Sequence, residues 1–115
     1  MKMEELVREL RALPDVAYVK FTGLRSLMLN LKLAHSVQKV KRIATRHEFA
    51  TQLQSGGLEL IHPALTIYCS HDQDDVRKDI RGFDFSVPEK VTPQVHQKIM
   101  AFFAALKPNH LRVVK

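Results

Sequence analysis

Residues 26–33 alternate: Leu27, Leu29, Leu31 and Leu33 fall on one side of an extended backbone, and Met28, Asn30 and Lys32 on the other. A period of two belongs to a strand with one buried and one solvated face, not to a helix of 3.6 residues per turn. Such strands build antiparallel sheets that are covered on one side. Residues 17–22 alternate in the same way, with Tyr18 and Lys20 against Val19 and Phe21, and Gly23 then marks a turn. The two segments predict a hairpin.

Helices flank it. Met3, Leu6, Val7, Leu10 and Leu13 share a face at helical spacing, and Pro14 stops that helix. Ser36 suits the N-cap of a second helix, with Val37, Val40, Ile43, Ala44, His47 and Ala50 on one stripe and Lys39, Arg42 and Arg46 opposite. Phe49 and Leu53 fit that stripe badly, so the helix breaks near His47 or buries a second face; Ser55-Gly56-Gly57 ends it. Residues 58–70 read as strand interrupted by Pro63, which implies an edge, a bulge or two short strands. A polar connection over 72–90 contains a short strand at 83–87. Thr92 caps the last helix, Pro93 takes its first turn, and Val95, Ile99, Phe102, Phe103 and Leu106 line one side. A tail at 111–114 would add an edge strand.

The fold class is therefore α+β: a small, mainly antiparallel sheet with helices packed on one face, in approximate order α-β-β-α-β-β-α. At 115 residues, 45% apolar and 26% charged, the chain can bury one core, and residues 1–115 read as a single domain. No window approaches the ~20 apolar residues of a membrane span, and the acidic start lacks a signal peptide's apolar run, so a cytoplasmic location is expected. The lone Cys69 rules out an internal disulfide and reads as a small buried hydrophobe.

Charge is segregated. Residues 25–46 carry six bases and no acid, residues 47–90 eight acids against four bases, and residues 91–115 four bases and no acid, within a net charge of +6. Such a field attracts polyanions. Lys39, Arg42 and Arg46 stand three or four residues apart, so one helix face can meet a phosphate backbone, flanked by Arg25 and Lys32. Tyr18 or Phe21 would stack on a single-stranded base. No RNP, KH or helix-turn-helix pattern accompanies them.

A second cluster, Ser70-His71-Asp72-Gln73-Asp74-Asp75, follows an apolar strand. His71 is a candidate general base and the aspartates are candidate oxygen ligands, but the glycine and terminal glutamate of a calcium loop are missing. His62 and Asp72 join His71 in an alternative ligand site. Cys69 and His71 would share a strand face, yet no zinc-ligand spacing appears, and neither do a glycine-rich phosphate loop, GxSxG or HExxH. No cofactor or metal is expected.

The strand at 65–70 running into Ser70-His71-Asp72 resembles that of the pterin carbinolamine dehydratases, in which a strand enters a Thr-His-Asp turn before a final helix. The resemblance covers about half the chain and concerns topology. The paired histidine and proline of that family's dehydration site are absent, with Ile61-His62-Pro63 near the expected place, and residues 73–91 would be an insertion.

The sequence thus points to a non-enzymatic interaction module for an anionic partner, nucleic acid foremost, through Arg25, Lys32, Lys39, Arg42 and Arg46. The alternatives are an oligomeric small-ligand-binding protein or small enzyme around His71, and a protein-binding adaptor using a free sheet edge, at Pro63 or the tail. Such an edge also lets two copies pair.

Overall fold

In the computed structural model, which describes residues 1–71, 77–88 and 90–108, the leucine alternation becomes the longest strand of a six-stranded sheet. The elements run α1 (Met3–Arg11), β1 (Val16–Phe21), β2 (Ser26–His35), α2 (Val37–Arg46), β3 (Ala50–Gln54), β4 (Gly57–His62), β5 (Leu65–His71), β6 (Ile80–Ser86) and α3 (Pro93–Ala105). The sheet order is β1-β2-β6-β5-β4-β3, and every neighbouring pair is antiparallel. The α+β class holds, with two strands more than expected.

Both extra strands have identifiable causes. Pro63 falls in the turn between β4 and β5, so residues 58–70 fold as two strands and this turn is no sheet edge. The α2 stripe does not continue to Ala50. The helix stops at Arg46: Glu48 adopts a left-handed φ of 68°, its N–H donates to the Thr45 carbonyl, and Phe49 N–H donates to Ala44. This is a Schellman stop with glutamate where glycine is usual. It turns Phe49 into the core and leaves Ala50–Gln54 free to pair with β4, so Ser55-Gly56 is a hairpin turn.

The three helices bury Leu6, Val7 and Leu10 from α1, Val40, Ile43 and Ala44 from α2, and Val95, Ile99, Phe102 and Phe103 from α3. These join Leu27, Leu29, Leu31, Leu60, Ile67, Phe83 and Phe85 in one cluster. At its centre Phe83 meets Phe102 and Phe103 edge-on, with centroids 6.2 and 5.2 Å apart. No helix is long and apolar enough to cross a membrane among the described residues.

The other face of the sheet is open. Two rows of side chains cross it through paired residues: Tyr18, Asn30, Gly82, Ser70, Gly57 and Gln54, and beside them Lys20, Met28, Asp84, Tyr68, Glu59 and Gln52. Its edges are β1 and β3. On β1, the Arg11 guanidinium donates through Nε and Nη2 to the Val19 carbonyl at 3.2 and 2.7 Å, which covers part of that edge.

The two glycines of the first row stand there for different reasons. A Cβ on Gly57 would overlap the Cys69 carbonyl oxygen and lie 2.9 Å from its carbon. Gly57→Ala is accordingly expected to cost about 2–3 kcal/mol. Gly56→Ala, into open space, should stay within about 0.5 kcal/mol of the parent. Urea denaturation of both variants checks this, and equal midpoints would refute it. Gly82 meets only the flexible end of Asn30, at 3.1 Å, and has no positive φ. In a central strand a glycine costs roughly 0.5–1 kcal/mol relative to alanine, and Gly82 stands where the β5–β6 register shifts.

Candidate anion-binding furrow

Ser36 accepts the Lys39 N–H at 3.1 Å and starts α2 as its sequence implies. With Val40, Ile43 and Ala44 turned to the core, Lys39, Arg42 and Arg46 rise along one side at helical spacing. With Ile43 they line a groove of about 720 Å³, completed by Ala105 at the end of α3 and by Lys107 and Pro108 just beyond it. Asp15 is its single acid. Lys39 Nζ donates to the Lys107 carbonyl and ties α2 to that segment. Burial, then the neighbouring Arg42 charge, lowers the Lys39 pKa against the pull of Asp15. Among the described residues, Arg42 and Arg46 have no hydrogen-bond or ion-pair partner.

Arg46 and His47 also line an adjoining pocket of about 340 Å³ with His62 and Lys98. Lys98 Nζ donates to the His47 carbonyl at 2.7 Å and lies 5.1 Å from the centre of the Phe49 ring. His62 Nδ1 accepts the Ala64 N–H at 3.0 Å, which leaves Nε2 as the protonated nitrogen of the neutral ring. Glu48 lines this hollow too, its carboxylate 4.0 Å from Lys98 Nζ; the two hollows share Arg46 and His47 and make one furrow with Lys39, Arg42, Arg46, Lys98 and Lys107 against Asp15 and Glu48.

Three of the five basic residues read from the sequence therefore converge, and two stand apart. Arg25 lies in the β1–β2 turn, where its carbonyl accepts the Val87 N–H at 2.9 Å. The ten residues of β2 put it about 30 Å from the start of α2. Lys32 is exposed and lines neither hollow of the furrow. Lys98, Lys107 and His62 complete the furrow unforeseen. The acid-free run 91–115 was the trace of the two lysines, but placing them beside α2 takes the tertiary fold.

The alternative trio also separates. His62 and His71 end opposite sides of the β4–β5 ladder, since His62 pairs with Leu65 and Gly57 with Ser70. Asp72, like Asp74, Asp75 and the tail at 111–114, lies outside the described residues. Cys69 is buried in the core, and burial pushes its thiol pKa far up. One step of β5, Ser70 to His71, pairs with two of β6, Gly82 to Ile80, so Arg81 is the extra residue of a β-bulge. Past this bulge His71 and Arg81 line a trough of about 400 Å³ on the open face, with Tyr18, Asn30, Ser70, Gly82 and Asp84. Among the described residues no group of three or more His, Cys, Asp or Glu side chains is placed to hold a metal.

No family model, curated protein or solved structure matches the chain. The topology differs from what the dehydratase resemblance implies: β6, the strand after His71, sits between β2 and β5 in mid-sheet before α3 begins.

His35, at the end of β2, is the one buried polar side chain among the described residues. Burial, then the Lys39 charge, lowers its pKa below 6.5, with Asp15 and Asp79 opposing. The unfolded chain thus binds the proton more readily than the folded one. The contribution of this neutral imidazole is full above pH 6.5 and declines as the pH falls through that value. Melting curves from roughly pH 7.5 to 5.5 should show this decline in the parent and a flatter profile in His35→Gln. Parallel profiles would count against it.

Proposed function

We propose that this chain is a small binding module that takes up a polyanion, nucleic acid foremost, along the furrow beside α2. The observation that carries this reading is the run of Lys39, Arg42 and Arg46 along one side of α2, lining with Lys107 a groove whose single acid is Asp15. Cβ atoms three or four residues apart on a helix are about 5–6 Å from one another, so successive cations can meet successive phosphates of one strand. Arg42 and Arg46 carry no ion pair among the described residues, and a phosphate has no internal carboxylate to displace. The recognition is electrostatic and reads the backbone rather than the bases.

Titration of labelled single- and double-stranded DNA and RNA tests this. With three phosphate contacts, duplex affinity should fall about forty-fold between roughly 50 and 200 mM salt. Arg42→Glu with Arg46→Glu should weaken binding at least about ten-fold and flatten the salt slope. Arg25→Glu, remote from the furrow, should change it little. Absence of binding at the lower salt, or equal affinity in the double variant, would overturn the proposal.

A further inference from the structure

We infer that the trough over Gly82 on the open face of the sheet is a nucleotide-binding site. This inference does not rest on the α2 furrow, which lies in the opposite layer.

The argument begins with the floor. Tyr18, Asn30, Gly82 and Ser70 are cross-strand neighbours on four successive strands. The adjacent row, Lys20, Met28, Asp84 and Tyr68, is bulkier at every strand but the first. The glycine therefore opens a channel across the sheet. Gly82 also flanks the bulge at Arg81, and a Cβ there would come within 3.1 Å of the Asn30 side-chain oxygen. Glycines inside strands mark bulges and places where another molecule approaches the backbone, and Gly82 adjoins the bulge and lines the trough. A flat ring fits such a floor.

The walls carry the matching chemistry. Tyr18 stands at one end, half exposed at 42%, with the Lys20 ammonium 5.4 Å from its ring centre. It offers a stacking surface already oriented by that contact. Asn30 has one amide donor group and one acceptor, and among the described residues neither is used in a hydrogen bond. Asp84 lies on the other side of Gly82, its carboxyl pKa raised by burial. Among the described residues it has no cationic partner. A carboxylate in that state gains most from N–H donors brought by a ligand.

At the far side the β-bulge brings Arg81 and His71 to the same trough. Bulges re-aim side chains, and here one supplies the cationic rim. Along β6 the acid and the arginine are three residues apart, about 10 Å, with the glycine between them. A nucleotide has this polarity: a donor-bearing base edge at one end, a phosphate at the other. Guanine, with two adjacent N–H donors, suits the two oxygens of Asp84. Arg81 would hold the phosphate as a fork. The nucleotide can be free or part of a single strand, because both present the same groups.

The four ribonucleoside 5′-monophosphates and a short guanosine-rich single strand, titrated into the ¹⁵N-labelled full chain and followed by NMR, test the site. Saturable shifts are expected at Gly82, Ser70 and the Asn30 side-chain amide, largest for guanosine. Shifts with the monophosphate identify a free nucleotide as sufficient ligand; shifts with the oligonucleotide alone identify a residue of a strand. Gly82→Val should fill the floor and weaken binding at least ten-fold without lowering the melting temperature. Arg81→Glu, on an exposed side chain, should do the same through the phosphate, while Arg25→Glu, in the β1–β2 turn, should leave these shifts intact. No saturable shift with any of the probes, or shifts that survive both Gly82→Val and Arg81→Glu, would overturn the inference.

Discussion

The edge-to-face packing of Phe83 on Phe102 and Phe103 is the contact on which the rest of the molecule depends. It joins the middle of β6 to the last turn of α3, and β6 is held by β2 on one side and β5 on the other. Phe49 extends the cluster, 5.5 Å from Phe102, and so anchors the start of β3 to the same helix. Aromatic pairs of this geometry add about 0.5–1.5 kcal/mol beyond their area burial. Their larger effect here is positional. Because Phe49 must reach Phe102, α2 has to end where it does, and its basic side is held against the end of α3.

A sheet covered on one side has two surfaces of different chemistry. The helical layer concentrates arginine and lysine in a furrow whose members come from α2, from α3 and from the residue beyond it. The open layer carries tyrosine, amide and carboxylate groups in register. The backbone links them at β2, whose inward leucines fill the core while Met28 and Asn30 belong to the open face. Neither surface can be altered through those leucines without disturbing the other.

Local chemistry made much of this legible in the sequence. The alternation at 26–33, the Ser36 and Thr92 caps, Pro93 and Pro14 each act within a few residues of where they stand, and each marked a real element or boundary. What escaped was set by distant contacts. The end of α2 depends on Phe49 packing against a helix some fifty residues away, so an apolar stripe running on through His47 and Ala50 looked continuous. β3 exposes Leu53 at 64% and has no buried alternation to announce it. The same division holds for the sites. Lys39, Arg42 and Arg46 were readable because one helix presents them. Lys98, Lys107 and His62 reach the furrow only through packing, and the bulge that brings His71 beside Arg81 is a matter of register between strands.

Cys69 occupies the middle of β5 with β4 and β6 hydrogen-bonded on either side, and burial keeps its thiol protonated and out of reach. A thiol reagent can therefore touch it only after the ladder parts. The chain thus carries a natural clock for the opening of its own sheet: when closing outpaces labelling, the labelling rate measures the free energy of that opening. No probe has to be engineered into the chain to read it.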